Sequence, residues 1–309
     1  IKQGGEWKEV AWNVALDYAA HALRDVAKSH GSAAIGGLLS PHATLEEMYL
    51  AQKLLRGLGS ENIDFRLRQS DFSADGKRKG TPWLGMKIAD IGRLDRVLVV
   101  GSFLRKDHPL IAQRLRQSAK RGAEISILHS ADDDLLIKLA AQAIVAPSQL
   151  PAVLAQVVKA VCAIKGVAAD TAVAGITVSA EAQAIAQTLA SGSSTGILLG
   201  NLAQQHTQAA TLQALAGQLA AVLGGSFGFI GEAANSVGGY VAKAVPGAGG
   251  LNTAAMLKDP LQAYVVLGAE PELDSADGAQ ALATLTKAAA VVVLSPFKSQ
   301  AMLDYAAVL

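Results

Sequence analysis

The sequence contains one cysteine, Cys162, among its 309 residues. One thiol rules out a disulfide within the chain. It also rules out an iron–sulfur cluster held by this chain alone, because such clusters normally take four cysteine ligands. Cys162 lies in the apolar helical pattern VLAQVVKAVCAIKG, which favours a small buried hydrophobic side chain. The scarcity of cysteine fits a reducing compartment.

Aromatic residues and long apolar runs are also scarce. Aromatic side chains make up 5% of the chain, so alanine, valine and leucine must supply the core. A run such as AAAVVVL at 288–294 is far shorter than the ~20 residues that a membrane-spanning helix needs. We therefore expect no direct membrane insertion. We also expect no nucleic-acid partner, because the few aromatic residues lack the spacing of a base-stacking surface.

Several catalytic motifs are absent. The glycines of GAGGLN at 247–252 follow Pro246 and lack the third glycine of a dinucleotide-binding turn. There is no phosphate-binding loop of the G-x-x-x-x-G-K-[ST] type and no G-x-S-x-G nucleophile turn. The six histidines show no paired spacing typical of a metal site. The residues therefore predict neither a catalytic group nor a metal ligand.

The charge is unevenly distributed along the chain. The net charge is +1, but residues 66–121 contain 14 Lys or Arg against 5 Asp or Glu, a local excess of +9. One interpretation is a solvated basic face, and the other is a site for an anion or an acidic partner. The composition leaves both open.

Hydrophobic periodicity predicts helices that alternate with buried strands, the pattern of parallel sheets covered on both faces. Thr44 and Glu47 have the spacing of a helix capping box. Three predicted strands, VLVVGS, GILLGN and YVVLGAEP, each end in glycine, at Gly101, Gly200 and Gly268. In open parallel sheets, ligands bind at the carboxyl ends of the strands. A glycine there is more often a steric requirement of the turn than a ligand contact.

Several longer stretches carry a family resemblance. GGEWKEVAWNVAL, TLEEMYLAQKLLRGLGSENID and VLVVGSFLRKDHPLIAQRLR resemble segments of the molybdopterin oxidoreductase superfamily. IKQGGEWKEV, LRQSDF, GEAANSVGGY, AYVVLGAEPELD and VVVLSPF resemble one branch more closely. That branch is the large iron–sulfur subunit in the peripheral arm of bacterial NADH:quinone oxidoreductase, respiratory complex I.

The resemblance implies an α/β fold with two Rossmann-like, open parallel-sheet lobes of the formate dehydrogenase and DMSO reductase type. We expect residues 1–66 and about 190–309 to form one discontinuous lobe, and residues 67–185 to form an inserted second lobe. The chain begins IKQGGEWKEV and stops at the apolar run LDYAAVL. From these ends we expect a piece of a longer protein that lacks the cluster-binding N-terminal domains.

The functional expectations also follow from the resemblance. The full-length subunit would bind [4Fe-4S] and [2Fe-2S] clusters and pass electrons from NADH toward quinone in a proton-translocating complex. This chain would hold no cofactor and no metal, and would perform no catalysis itself. Its partners would be other peripheral-arm subunits, in the cytoplasm against the bacterial inner membrane. The alternatives are a piece of an active, formate dehydrogenase-like molybdopterin enzyme, and a module that binds an anion or a nucleotide.

The resemblance points to residues of a vestigial cofactor cleft. In active relatives, the segment after N-[IV]-D supplies the metal ligand, and counting from Asn62 places that position near Ser70. Asp71 stands beside it, and a carboxylate there disfavours an anionic dithiolene. We expect Arg66 and Arg68 to be held by Asp64, Asp71 or nearby carbonyls, so that the charged groups lock two domains together. The candidate cleft residues are Ser70, Arg68, Gly101, His108, Gly200 and Asn201.

For two features of the predicted cleft, the sequence leaves two alternatives open. His108 precedes Pro109 at a helix start beyond a strand end, and it either faces a crevice or is a solvated turn residue. The glycine-rich segment 224–252 resembles a family segment that lines the cofactor cleft. With no cofactor to hold it, we expect it to be partly disordered or packed against a neighbouring subunit.

Overall fold

The structure, a computed structural model, describes residues 1–77 and 80–309, which form two compact units. Unit 1 comprises residues 1–70 and 233–309, and unit 2 comprises residues 71–232. Arg78 and Lys79, two of the cations counted in the basic segment 66–121, lie outside the described residues.

The strands are numbered in chain order. They are β1 (Lys2–Gln3), β2 (Glu6–Trp7), β3 (Ile35–Leu39), β4 (Ile63–Asp64), β5 (Arg96–Val100), β6 (Glu124–His129), β7 (Ala141–Ile144), β8 (Thr195–Leu199), β9 (Ser226–Phe229), β10 (Ala263–Leu267) and β11 (Ala290–Leu294).

The α-helices are numbered in the same way. They are α1 (Trp12–His30), α2 (Leu45–Gly57), α3 (Leu104–Asp107), α4 (Pro109–Lys120), α5 (Leu150–Lys165), α6 (Thr171–Ala174), α7 (Ala180–Ala190), α8 (Asn201–Gln204), α9 (Ala209–Leu223), α10 (Ser236–Val241), α11 (Thr253–Lys258), α12 (Pro271–Asp274), α13 (Gly278–Lys287) and α14 (Gln300–Tyr305).

Unit 1 is built on a parallel four-stranded sheet in the order β11-β10-β3-β4. Alternate residues of each strand face opposite sides, so Ile35 and Val265 pack under α1 and α2, whereas Leu38 and Tyr264 pack under α11 and α13. Both faces are thus covered by helices, as the apolar strands predicted. Strand β4, the next strand along the chain, pairs with one edge of β3, and β10 pairs with the other edge. The gap between β3 and β10 is therefore the topological switch point of this sheet.

Unit 2 is built on a parallel five-stranded sheet in the order β7-β6-β5-β8-β9. Leu98 and Val100 face α5, α7 and α9, and Val97 and Val99 face α4. Strand order reverses between β5 and β8, which is the switch point of a Rossmann-like sheet. The predicted α/β class with open parallel sheets is confirmed.

The helix ends follow from local chemistry that the sequence already indicated. Thr44 accepts a hydrogen bond from the Glu47 N–H (3.2 Å), and the Glu47 carboxylate accepts one from the Thr44 N–H (2.8 Å). This is the predicted capping box, and it fixes the start of α2. Helix α4 begins at Pro109, whose missing N–H has no intrahelical partner at that position in any case.

The position at which the chain returns to unit 1 differs from the sequence expectation of about 190. Strand β8 pairs in parallel with β5 along its whole length, and β9 pairs with β8, so both belong to the sheet of unit 2. The return therefore lies at Ala233. The pattern TGILLGN is the same kind of buried strand as those of unit 1, so its sequence does not reveal which sheet it joins.

The glycine-rich segment 224–252 is not the disordered loop that the sequence suggested. Its first part forms β9 in unit 2, and its second part contains α10 in unit 1. Gly239 of α10 lies against Phe65, where a Cβ atom would stand 2.5 Å from the aromatic ring. The glycine is needed for this close packing, a contact between residues distant in sequence.

Helix α5 is a long apolar helix of unit 2. Within the described residues, the stretch Pro147–Lys165 is the one that is long and apolar enough to cross a membrane, with a mean hydropathy of 1.3. More than half of it, 56%, is buried inside the protein. Cys162 is 1% exposed on this helix, which agrees with the predicted buried role.

Asp95 joins the start of β5 to the turn before β8. Its carboxylate accepts hydrogen bonds from the N–H (2.9 Å) and hydroxyl (2.7 Å) of Ser193 and from the N–H of Ser194 (3.0 Å). Burial by itself raises the pKa of Asp95, but these hydrogen bonds outweigh it and hold the pKa below its ordinary value. The ionised carboxylate therefore contributes to the stability of the fold.

We predict that Asp95→Asn lowers the free energy of unfolding by about 1 kcal/mol at pH 7. Because the folded-state pKa is depressed, the difference from wild type is full above the ordinary aspartate pKa of about 4 and shrinks as the pH falls through the folded value. Urea unfolding between pH 3 and 7 measures it. Asp132→Asn, at an exposed position in the same unit, is the control and should leave stability unchanged. An Asp95→Asn effect equal at both pH limits would contradict the account.

Candidate functional site

The segment after β3 and α2 contains a buried ion pair. Asp64 is 0% exposed and Arg66 is 5% exposed. The guanidinium of Arg66 donates two parallel hydrogen bonds, from Nε to Asp64 Oδ1 (2.8 Å) and from Nη2 to Oδ2 (3.0 Å). This bidentate geometry is the strong form of an arginine–carboxylate pair. The sequence expectation that Asp64 holds Arg66 is confirmed.

Further contacts fix the pair within unit 1. Asp64 also accepts hydrogen bonds from the backbone N–H of Arg66 (3.0 Å) and from that of Thr253 at the start of α11 (3.2 Å). The guanidinium carbon lies 5.8 Å from the ring centroid of Tyr240, which in turn packs edge-on against Phe65. The positive charge of Arg66 is therefore compensated by Asp64 inside the unit.

Asn62 fastens the same segment to its neighbours. Its Nδ2 donates to the carbonyls of Ala33 (2.7 Å) and Ile35 (3.3 Å), and its Oδ1 accepts from the N–H of Leu251 (2.9 Å). The Asn-Ile-Asp stretch thus joins the start of β3 to the chain that enters α11. Each polar side chain in it has a structural partner.

The residues around the predicted metal-ligand position lie where the chain passes from unit 1 to unit 2. Ser70 is exposed and is the last residue of the first segment of unit 1. Arg68 pairs with Asp274 at 3.3 Å, and both side chains are at least one-third exposed. Asp71, the first residue of unit 2, accepts hydrogen bonds from Ser73 and from the N–H of Ala210 (2.8 Å). Burial raises the pKa of Asp71, but these bonds outweigh it and the net pKa lies below its usual value.

In unit 2, the strand ends at the switch point bring Gly101, Gly200 and Asn201 together. The N–H of Gly200 donates to Val100 O (2.8 Å), and the carbonyl of Gly101 accepts from the N–H of Leu202 (2.9 Å). A Cβ atom on Gly200 would stand 2.2 Å from Ser102 Cβ. The glycines are therefore required by the turn, as the steric interpretation held. The Oδ1 of Asn201 is buried without a hydrogen-bond partner among the described residues.

His108 lies beside the same strand ends. Its Nε2 is 2.7 Å from the carbonyl of Gly231, so Nε2 carries the proton that it donates. Nδ1 is then the acceptor that faces the Ser102 hydroxyl, at 3.4 Å. His108 is half-buried. That His108 faces a crevice stays a prediction.

His129, at the end of β6, was not singled out by the sequence analysis. It is 3% exposed, and neither ring nitrogen has a hydrogen-bond partner among the described residues. Its ring packs edge-on against Phe103, with centroids 4.5 Å apart. Burial lowers the pKa of His129, although Asp133 and Asp107 act in the opposite direction. The sequence signal that could have identified His129 is its position at the end of β6, the strand next to β5.

Unit 1 has a cavity of about 600 Å³ at the carboxyl ends of β3, β10 and β11. Gly268, at the end of β10, is the one residue of its lining that the sequence placed at a strand end. Among the described residues, the lining includes three carboxylates and no lysine or arginine. Its members are Ser40, His42, Ala43, Glu47, Leu267, Gly268, Ala269, Glu270, Leu273, Asp274, Leu294, Ser295, Pro296 and Phe297.

Comparison with known proteins matches the whole chain to one family. The model of the molybdopterin oxidoreductase family matches residues 1–309. The NADPH-Fe(3+) oxidoreductase subunit alpha of Geobacter sulfurreducens is 35% identical over 134 residues, which are 42% of this chain and 16% of that protein. A subunit of the NADH-quinone oxidoreductase of Rickettsia felis is 28% identical over 123 residues, 40% of this chain and 17% of that protein. The matches thus cover less than a fifth of either relative's length.

Solved structures share the fold. Acetylene hydratase from Pelobacter acetylenicus has a TM-score of 0.73 and 16% identity, covering 97% of this chain and 52% of that one. A chain of the formyltransferase/hydrolase complex from Methylorubrum extorquens has a TM-score of 0.62 and 16% identity, covering 97% of this chain and 82% of that one. At this identity the likeness concerns the fold alone.

The two arginines of the segment should differ sharply in their contribution to stability. We predict that Arg66→Met costs about 3–5 kcal/mol of unfolding free energy, because it leaves the fully buried Asp64 carboxylate without its counter-charge. Arg68→Met, the matched control, should cost less than about 1 kcal/mol, because its pair with Asp274 is solvent-exposed. Chemical denaturation measures both, and equal costs would contradict the assignment of Arg66 as the buried anchor.

Proposed function

The chain belongs to the molybdopterin oxidoreductase family, and we propose that it is a non-catalytic member of that fold with an architectural role. In this proposal it forms the structural region of the large iron–sulfur subunit of a bacterial NADH:quinone oxidoreductase, complex I. The full-length subunit passes electrons from NADH through [2Fe-2S] and [4Fe-4S] clusters toward quinone. Other peripheral-arm subunits are its partners, and it lies at the cytoplasmic side of the inner membrane through them.

The observation that carries the proposal is the closed state of the Asn62–Arg66 segment. The side chains of Asn62, Asp64 and Arg66 are buried and hydrogen-bonded within unit 1. A cation that already has a bidentate, buried carboxylate partner has no charge left to offer an anionic dithiolene. This supports a segment kept for packing rather than for holding a metal centre.

The acidic cavity of unit 1 also supports the proposal. A pterin–metal cofactor is anionic, and a site for it needs cationic or backbone N–H donors at the strand ends. This cavity has Glu47, Glu270 and Asp274 instead, and the described residues that line it include no lysine or arginine. The residues of this site do not fit the pterin cofactor, and we derive no reaction step through it.

The names of two relatives support the assignment to a multi-subunit complex. One relative is by name a subunit of an NADH-quinone oxidoreductase, and another is the alpha subunit of an NADPH-Fe(3+) oxidoreductase. Both names describe one subunit of a larger redox enzyme. The motifs IKQGGEWKEV, GEAANSVGGY and VVVLSPF favour the first of these assignments.

We predict that the full-length protein, purified from its native host, contains molybdenum and tungsten far below one atom per chain. Metal analysis by mass spectrometry and fluorescence detection of oxidised pterins measure this, with an active formate dehydrogenase prepared in parallel as the positive control. Stoichiometric molybdenum or tungsten with pterin would overturn the proposal in favour of an active, formate dehydrogenase-like enzyme.

A second candidate is a module that binds a nucleotide-like ligand in unit 2. It is favoured by the unpartnered polar atoms at the strand ends, which among the described residues are the Oδ1 of Asn201 and both ring nitrogens of His129. Buried polar atoms without partners cost free energy, and a ligand that bonds them would recover it. This candidate uses side chains of unit 2 alone.

The second candidate predicts that GTP, NADH or a pterin analogue at millimolar concentration raises the thermal unfolding midpoint by several degrees, since a ligand stabilises the state that binds it. Asn201→Ala and His129→Phe should abolish the rise. Asp132→Asn, at an exposed position, is the control and should retain it. A flat response to all three ligands would remove this candidate.

A further inference from the structure

We propose that the cavity of unit 1 is a binding site for an organic cation on an apolar stem, namely a lysine or arginine side chain of a partner polypeptide. The site lies at the carboxyl ends of β3, β10 and β11, where the sheet opens at its switch point. The volume of about 600 Å³ accommodates one long side chain with its neighbouring residues.

Two backbone donors beside the cavity lie at helix starts. A helix N-terminus attracts anions because its first N–H groups lack partners. Here the start of α2 is already capped, since the Glu47 carboxylate accepts from the Thr44 N–H at 2.8 Å. At α12, the Asp274 carboxylate accepts from the N–H of Glu270 at 3.0 Å. Two of the backbone donors at these helix starts are therefore occupied by the chain's own carboxylates.

The three carboxylates of the cavity lining differ in whether they already have a partner. Asp274 has Arg68 as a counter-ion at 3.3 Å, and Glu47 is engaged in the capping box. The Glu270 carboxylate is half-buried and has no hydrogen-bond or ion-pair partner among the described residues. An unpaired, half-buried carboxylate is costly, and a cation that binds it offsets the cost. Glu270 is accordingly the residue that selects for positive charge.

The nearby side chain of Tyr305 is affected by the same negative charges. Burial raises the pKa of Tyr305, and the carboxylates of Glu272 and Glu270 raise it further. Ser40 adds a polar group at the base of the cavity. It is 5% exposed, and its hydroxyl oxygen accepts from the His42 N–H at 3.2 Å.

The walls of the cavity include exposed apolar side chains. Leu273 is 70% exposed, Phe297 is 74% exposed and Leu294 is 45% exposed, although all three line the cavity. The Phe297 N–H donates to the Ser295 hydroxyl (3.1 Å), which holds the turn that presents the ring. Exposed apolar side chains beside an unpaired carboxylate match an aliphatic stem that ends in a charged group, the shape of lysine and arginine. A compact metal ion would leave these walls in water.

The source of the cation rests on the proposed function. A subunit with an architectural role contacts other polypeptides, and apolar walls gain more from a side chain flanked by further apolar residues than from a small free cation. We therefore commit to a polypeptide segment as the occupant. Arginine or lysine between apolar residues is the chemistry that the site recognises.

The test is calorimetric titration of the full-length protein at pH 8, where histidine is neutral, in low salt. The probe is a blocked pentapeptide with a central arginine flanked by alanine and leucine. Its twin carries citrulline, which has the same shape and no charge. We expect the arginine peptide to bind at least tenfold more tightly than the citrulline peptide, and the difference to shrink as salt is added.

Two variants locate the effect. Glu270→Gln should weaken binding of the arginine peptide about tenfold and leave the citrulline peptide unchanged. Glu46→Gln is the matched control, because Glu46 is an exposed carboxylate on α2 outside the cavity lining, and it should have no effect. An equal loss in both variants would overturn the site in favour of a general charge effect. Equal binding of the two peptides on the wild type would overturn it without any variant.

A third ligand distinguishes the source of the cation. Butylguanidinium has the head and stem of arginine without the flanking residues, and we expect it to bind at least tenfold more weakly than the arginine peptide. Equal affinity would show a site for a small free cation and would overturn the commitment to a polypeptide. The test is independent of the metal analysis, because a molybdenum-containing protein that still prefers the arginine peptide would refute the proposed function alone.

Discussion

The buried pair of Asp64 and Arg66 is the interaction on which unit 1 depends. Two charges at less than about one-tenth exposure need each other and further hydrogen-bond donors as partners. That requirement fixes the end of β4, the start of α11 at Thr253 and the position of Tyr240 on α10. The segment that resembles a ligand-bearing loop is therefore held in one conformation by the protein itself.

Much of the fold could be predicted because it depends on patterns of residues that are close in sequence. The apolar strands, the Thr44–Glu47 capping box and the Pro109 helix start all depend on residues close in sequence. The return of the chain to unit 1 could not be predicted, because the membership of β8 in a sheet depends on its pairing with β5, about 100 residues earlier. The expectation of partial disorder in the glycine-rich segment failed for the same reason, since Gly239 is explained by its contact with Phe65. The alternative of packing against a neighbouring subunit stays a prediction.

The candidate site was predicted less completely than the fold. The sequence placed Gly101 and Gly200 at strand ends and His108 at a helix start beyond a strand end, where the structure has them. His129 was missed because a single histidine after an apolar strand gives no spacing signal, and its lack of partners among the described residues is visible only in three dimensions. Glu270 was missed as well. Its meaning depends on Glu47 and Asp274 already having partners, which no pattern within AEPELD reveals.

The chain order of the two units has a consequence for how the protein is made. Unit 2 is continuous in sequence, whereas the central strands of unit 1, β3 and β10, pair Ile35 with Ala263 across roughly 230 residues. Closing so long a loop costs entropy and slows folding unless the intervening chain is already compact. On the ribosome, all residues of unit 2 emerge before β10 does, so the inserted unit can fold first and shorten the loop. Unit 1 remains incomplete until that time, because β3 lacks its β10 partner.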